Sequence, residues 1–220
     1  MASCYDHLCY HETQQNIKRW LLPLAIFFVV LAIVAIIIIS FVVIPQIKAN
    51  VADARLDTFA FVTAQGDRAV AMTTSFSYNI SVALIVRNPN HAMSIRYIKP
   101  LVATILFHDR RLHNLTVVDE GHRHRPGKVE AHLLHAGGEV PSLLLGIAGA
   151  EDFKRQNATG LFNIEVRLSG EITHQGIVTA RKPKLSLSCS LELQLAPPGP
   201  EVVDFQEVDC KAVKEDKIYF

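Results

Sequence analysis

The sequence has little cysteine, almost no net charge and no second long apolar segment. Its four cysteines in 220 residues are too few for a disulfide scaffold. The 22 Lys and Arg residues balance the 21 Asp and Glu residues, which argues against a nucleic-acid partner because such proteins usually carry a basic excess. A single run exceeds about 18 apolar residues, so a polytopic transporter is excluded.

Motifs of known catalytic and cofactor sites are also missing. The chain has no glycine loop that cradles phosphates, no dinucleotide fingerprint, and no nucleophile-elbow glycine spacing around Ser142. No Asp-x-Asp sequence occurs, which leaves a metal-dependent sugar transferase without support. The sequence therefore predicts a protein that is not an enzyme, with no catalytic residue, no cofactor and no bound metal.

The one long apolar run extends from Trp20 to Ile44 and contains 23 hydrophobic residues out of 25. At about 1.5 Å of rise per residue, a helix of this length exceeds the ~30 Å hydrocarbon core of a bilayer. A cleaved signal peptide is the alternative, but its apolar core is usually only about 7–15 residues long. We predict a transmembrane helix over residues 20–44, after a short cytoplasmic N-terminus of residues 1–19.

Charges and glycosylation motifs give this segment an orientation. Lys18 and Arg19 lie next to its N-terminal end, which favours a cytoplasmic N-terminus under the positive-inside rule. Three N-glycosylation sequons follow it, at Asn79, Asn114 and Asn157. Both signals predict a single-pass, type II membrane protein whose C-terminal domain is exoplasmic.

Beyond the apolar run, the sequence has the alternating pattern that is typical of β-strands. Apolar residues alternate with small or polar ones in three stretches, residues 76–86, 162–168 and 185–195. The β-rich stretch from Ile95 to Phe107 contains Pro100, which indicates an edge strand or a bend. Strands with one apolar face build antiparallel sheets that bury that face. The sequence therefore predicts an all-β fold, a fibronectin- or immunoglobulin-like antiparallel sandwich.

The expected organisation of the exposed region has three parts. The sandwich is predicted to occupy residues 61–197, after a stalk over residues 45–60 and before a charged tail over residues 198–220. The least clear part is residues 110–150, where Leu143-Leu144-Leu145 is interpreted as a strand flanked by loops.

Two cysteines, Cys189 and Cys210, lie on the side that is expected to be oxidising. A bridge between them would close about 20 residues and stabilise the fold by roughly 3 kcal/mol in the chain-entropy model. The alternative is two unrelated thiols, with Cys189 a small buried residue on the leucine face of its strand. Both interpretations remain open.

Histidine is concentrated in one stretch, at positions His122, His124, His132 and His135. On a strand, His122 and His124 would share a face, as metal ligands can. Arg123 and Arg125 are interleaved with them and would repel a cation. We therefore interpret the stretch as a solvated basic loop; a pH-sensing patch is an alternative, because imidazoles titrate near physiological pH.

A motif in the first strands carries a family resemblance. Val82-x-Leu84-x-Val86-Arg87-Asn88-Pro89-Asn90, followed by Ile95-x-Tyr97 and placed behind a single anchor, resembles the plant late embryogenesis abundant type 2 (LEA-2) family. Within that family the chain is similar to the harpin-induced and non-race-specific disease-resistance-like membrane proteins. The similarity extends through Gly160-Leu161-Phe162 to the strand at 185–195 and covers most of residues 45–196.

The resemblance implies a β-sandwich at the plasma membrane that acts in pathogen and abiotic-stress responses, with no established catalytic site. Protein, cell-wall or membrane contacts would carry that role. The alternative is a lipid-binding or lipid-transfer module that uses an apolar cavity of the sandwich.

The family motif residues Asn88, Pro89, Asn90 and Tyr97 have a structural interpretation, because proline fixes φ and asparagine caps turns; direct partner contact is the alternative. The chain departs from its relatives over residues 117–128. This stretch is rich in His and Arg where relatives often carry a Pro-Pro-Phe-Tyr-like segment.

Overall fold

The computed structural model describes residues 21–35, 47–64, 73–91, 93–174, 184–196 and 205–213. The chain divides into two compact units, residues 1–44 and residues 45–220. The described residues of the first unit, 21–35, are helical, and those of the second are mostly β.

In the first unit, residues 21–35 form helix α1. Its apolar side chains are largely exposed, for example Leu22 at 68% and Phe27 at 60%. Among the described residues, no helix combines the length and the hydropathy that a membrane crossing needs. The rest of the predicted span, residue 20 and residues 36–44, lies outside the described residues, as does the predicted cytoplasmic segment 1–19.

The described part of the second unit contains ten strands, one 3-10 turn and one helix. The strands are β1 (Lys48–Ala64), β2 (Thr73–Arg87), β3 (Ile95–Phe107), β4 (Arg110–Val118), β5 (Arg123–His124), β6 (Val129–Pro141), β7 (Leu161–His174), β8 (Lys184–Gln194), β9 (Val208–Asp209) and β10 (Lys211–Ala212). Between β6 and β7 lie the 3-10 turn (Ser142–Leu144) and helix α2 (Gly146–Thr159).

The strands form two sheets. One has the order β6-β2-β1-β9, and the other has the order β10-β8-β7-β3-β4, with β5 paired to the start of β3. Each of these strand pairs is antiparallel. One buried apolar core includes residues from both sheets. The prediction of an all-β antiparallel sandwich is thus confirmed.

Phenylalanine rings join the two sheets at the centre of the core. Phe59 of β1 lies with its ring centroid 5.1 Å from that of Phe107 in β3 and 5.0 Å from that of Phe162 in β7. Both pairs are edge-to-face, the arrangement that the ring quadrupole favours. Phe153 of α2 packs 5.9 Å from Phe59, so the helix shares the same core.

Strand β1 begins at Lys48 and pairs with β2 along its whole length, so residues 48–60 are strand rather than stalk. Its apolar residues do not alternate because two irregularities, between Val51 and Asp53 and between Leu56 and Thr58, shift the register. At each register shift, two successive inward-facing residues are separated by one extra residue. The apolar residues of β1 therefore do not recur at every second position.

Leu143 and Leu144 belong to the 3-10 turn, and Leu145 is the residue that follows it. The strand that was predicted at these three leucines is therefore wrong. Helix α2 follows it and was not expected. Its apolar signal in sequence is weak, because the described helix buries a single large apolar side chain, Phe153. The helix ends at Thr159, and Gly160 caps it with a φ of 72°, the left-handed conformation that glycine adopts readily.

The C-terminal segment crosses from one sheet to the other. Strand β9 pairs with β1, and β10 pairs with β8, so residues 208–212 touch an edge of each sheet. Between them, Cys210 donates its backbone N–H to Ala49 O at 2.9 Å and forms a disulfide with Cys189 of β8. This part of the predicted tail is therefore fixed to the sandwich, and the structure contains the bridge that the sequence left open.

Replacing Cys210 with Ser should lower the free energy of unfolding by about 2–4 kcal/mol, because the bridge removes entropy from the unfolded chain. Guanidinium unfolding of the full chain in detergent micelles measures the change, and a reducing agent should destabilise wild type to the same level. An unchanged midpoint in Cys210→Ser, or a further loss when the variant is reduced, would show that the bridge does not stabilise the sandwich.

Candidate functional site

The Asn88-Pro89-Asn90 motif forms a buried turn after β2. The Asn88 side chain is completely buried, and its Nδ2 lies 3.0 Å from Met93 O, 3.2 Å from Arg125 O and 3.4 Å from His124 O. Its Oδ1 accepts the Asn90 backbone N–H at 3.0 Å. A single amide thus satisfies backbone groups from its own turn and from the segment around β5.

Backbone bonds complete the same junction. Asn88 donates its N–H to Lys128 O at 3.0 Å, and Gly127 donates its N–H to Asn90 O at 2.9 Å. Gly127 has a φ of +64°, a conformation that other residues adopt only with strain, so a larger residue is disfavoured there. The Asn-Pro-Asn turn therefore acts as an internal anchor for residues 124–128.

Tyr97, the fourth motif residue, lies fully buried in β3 next to this junction. Its backbone accepts the Gly121 N–H at 2.8 Å and donates to His122 O at 3.0 Å. Among the described residues its hydroxyl has no hydrogen-bond partner. Burial in the first place, and then the Glu130 carboxylate, raise the pKa of Tyr97 far above its usual value, so the hydroxyl stays protonated.

A cluster of three histidines surrounds the Glu130 carboxylate beside Tyr97; we call it the His–Glu cluster (His122, His124, Glu130 and His132). His122 Nε2 lies 3.0 Å from Glu130 Oε2. The same oxygen lies 3.8 Å from His124 Nδ1 and 4.0 Å from His132 Nε2. Burial lowers the pKa of His132; Glu130 acts in the opposite direction, and the charges of His124 and His122 lower it further.

This geometry corrects the interpretation of the stretch as a solvated loop at one position, His124, while Arg123 and Arg125 are exposed as expected. His124 is completely buried and Glu130 is half-buried, while His122 is exposed. Arg123 donates from Nε to Ser94 Oγ at 3.0 Å, on the side of the strand away from His124. In the part of the chain that the structure describes, no group of three or more His, Cys, Asp or Glu residues is arranged to hold a metal ion.

His132 stands out in the sequence only as one of several histidines, and Glu130 was not recognised as a member of this site. Both occupy inward positions of β6, where a strand normally carries apolar residues, because they pair across the ladder with buried Val86 and Leu84. An alternation rule places residues inside only when they are apolar. The available clue was that Glu130 and His132 are two residues apart, so that on a strand they lie on the same face, and that they follow the histidine-rich loop.

The three predicted glycosylation sites have different surroundings. Asn79 lies in β2, paired with Thr58 on one side and Gly137 on the other, and its Oδ1 is buried. Asn114 is exposed on β4, at the edge of its sheet, and Asn157 is exposed on α2. A branched glycan has room at the two exposed positions and not in the middle of a sheet.

Replacing Asn88 with Ala should lower the free energy of unfolding by about 1–3 kcal/mol, since the backbone carbonyls that it satisfies would stay buried without their donor. Chemical denaturation of the full chain measures the loss. Asn114→Ala is the matched control, because it removes the same amide from an exposed position. Equal stability of the two variants would contradict the anchoring role of Asn88.

When the chain is made in a eukaryotic secretory pathway, glycans should occupy Asn114 and Asn157 and leave Asn79 bare. Endoglycosidase should increase the gel mobility of wild type and of Asn79→Gln, and should have no effect on the Asn114→Gln/Asn157→Gln double variant. A mobility shift that persists in the double variant would contradict this assignment. No shift in wild type would contradict the exoplasmic placement of the domain.

Comparisons with known proteins add little to this geometry. No protein-family model matches the chain, and no curated protein matches it. Among solved structures, the chain is similar to a protein from Archaeoglobus fulgidus at 13% sequence identity and a TM-score of 0.31, covering 64% of this chain and 98% of the other. A TM-score this low does not establish a shared fold, so the function is argued from the site and the sequence.

Proposed function

We propose that the chain is a single-pass, membrane-anchored protein with an exoplasmic LEA-2 β-sandwich of the fibronectin- or immunoglobulin-like kind. It acts without catalysis in plant defence or abiotic-stress responses, through contacts with a protein, the cell wall or a membrane. The resemblance of the Asn88-Pro89-Asn90 region to the LEA-2 family motivates the biological role. An exposed apolar turn on the sandwich supports action by contact.

That turn, which we call the apolar turn (Leu143, Leu144 and Ile147), comprises two residues of the 3-10 turn after β6 and one residue of the first turn of α2. Leu143 is 90% exposed and Ile147 is 83% exposed. The chain turns so that the neighbouring Leu145 is buried in the core, which leaves the other apolar side chains facing outward. Burying one such side chain contributes about 1.5–3 kcal/mol, so a partner that covers the turn gains substantial free energy.

The buried polar residues of the motif support contact rather than chemistry. Asn88 uses its amide to hold backbone groups, and the Tyr97 hydroxyl stays protonated inside the sandwich. The phenylalanine rings around Phe59 occupy the centre between the sheets, where an apolar ligand would otherwise lie. This arrangement favours a role for the outer surface over the lipid-transfer alternative.

Three observations support the anchored, exoplasmic arrangement. The apolar run from Trp20 to Ile44 has the composition of a membrane segment. The apolar side chains of α1 are exposed rather than packed in a core. The Cys189–Cys210 disulfide is typical of proteins in oxidising compartments, outside the cytosol.

Proximity labelling tests the role of the apolar turn. A biotin ligase fused after Phe220 in the full chain is expressed in plant tissue, with and without pathogen challenge. We expect challenge to change the labelled proteins for wild type, and expect Leu143→Ser/Ile147→Ser to reduce labelling of that challenge-dependent set severalfold. Leu133→Ser is the matched control, because Leu133 is also 80% exposed but lies on β6.

Two results would overturn the proposal. A labelled set that is the same before and after challenge would remove the role in defence. Labelling by Leu143→Ser/Ile147→Ser that equals wild type, at equal abundance in the membrane fraction, would show that the apolar turn makes no functional contact.

A further inference from the structure

The His–Glu cluster joins the two sheets at one end of the sandwich. Glu130 and His132 come from β6 in one sheet. His124 comes from β5, which pairs with β3 in the other sheet, and His122 directly precedes it. The contacts among these side chains therefore cross the interior between the sheets.

The buried His124 has a defined hydrogen-bonding state at one ring nitrogen. Its Nε2 lies 3.0 Å from Lys128 O, and a carbonyl only accepts, so Nε2 carries the hydrogen. In the neutral ring, Nδ1 then presents a lone pair toward Glu130 Oε2 at 3.8 Å. No described residue donates a hydrogen bond to this nitrogen.

The cluster holds one negative charge for several histidines. Glu130 balances one protonated ring, and each further proton adds positive charge that nothing in the cluster offsets. Tyr97 from β3 lies close enough for Glu130 to raise its pKa, and its hydroxyl stays neutral. Glu130 and His132 pair across the ladder with apolar Val86 and Leu84 of β2. His174 of β7 lies on the far side of Ile95 from His124, is buried, and adds a further imidazole to this end.

We propose that the His–Glu cluster is a proton-sensitive latch between the two sheets. With few protons bound, it holds the segment of residues 119–130 against the sandwich; in acid, accumulating positive charge releases that segment. The latch follows from the arrangement of the cluster and does not depend on the proposed function.

The sign of the effect follows from proton linkage. Burial lowers the pKa of His132 and of His174, so the folded chain binds protons more weakly at these rings than the unfolded chain does. Their contribution to stability is full above the unfolded value of about 6.5 and is lost as the pH falls below it. Acid therefore favours the open segment.

Hydrogen exchange of the full chain in detergent micelles, followed by mass spectrometry at pH 7.5 and pH 5.0, tests the latch. After correction for intrinsic exchange, we expect amides of residues 119–130 to open roughly tenfold more often at pH 5.0. His132→Gln should reduce this increase. His135→Gln is the matched control, since His135 lies on the same strand but is exposed and contacts Ser81.

Three outcomes would overturn the latch. Opening of residues 119–130 that does not change between the two pH values contradicts it on wild type alone, even if His132→Gln does not fold. An equal reduction in His135→Gln assigns the effect to histidines outside the cluster. Protection of the segment at pH 7.5 that rises with added zinc chloride in wild type, and not in His132→Gln, identifies a metal site instead.

Discussion

The buried amide of Asn88 is the interaction on which this end of the sandwich depends. It lies at the end of β2 and bonds backbone carbonyls of its own turn and of the segment around β5. A buried polar group without partners costs about 1–3 kcal/mol. The Asn88 turn and the segment around β5 therefore each depend on the other for hydrogen-bond partners. Because the segment is held there, His124 faces inward and meets Glu130 of the opposite sheet. The turn and the cluster are therefore parts of one arrangement.

The sequence predicts the regular strands well, and the physical reason is visible in the register. The stretches at 76–86 and 162–168 alternate because each strand has one face in the core, and they lie within β2 and β7. The stretch at 185–195 alternates for the same reason, and β8 contains it up to Gln194. Pro100 lies in β3 where its pairing with β7 is irregular. Since β3 lies between β7 and β4, it is not the edge strand that was one of the two expectations from this proline. Strand β1 was missed because its register shifts break the alternation. Helix α2 was missed because Phe153 is the one large apolar side chain that the described helix buries, so no apolar face recurs along it.

The polar site is harder to predict, since it is assembled by pairing between strands that are far apart in sequence. Asn88 signals a turn in the sequence, but its bonds to residues 124 and 125 depend on where the segment around β5 returns to β3. Likewise, nothing local distinguishes buried His124 from exposed His122. The disulfide illustrates the same limit: the sequence offered Cys189 and Cys210 as a pair, and the pairing of β9 with β1 and of β10 with β8 brings them together.

The most direct test of this dependence is a double-mutant cycle between Asn88 and Glu130. The free energy of opening of residues 119–130 is measured by hydrogen exchange at pH 7.5 in wild type, Asn88→Ala, Glu130→Gln and the double variant. If the Asn88 turn positions the His–Glu cluster, we expect a coupling energy of about 0.5–3 kcal/mol, because the second substitution removes what the first has already disrupted. Effects that add to within about 0.3–0.5 kcal/mol would show that the turn and the cluster are independent, and would contradict the account.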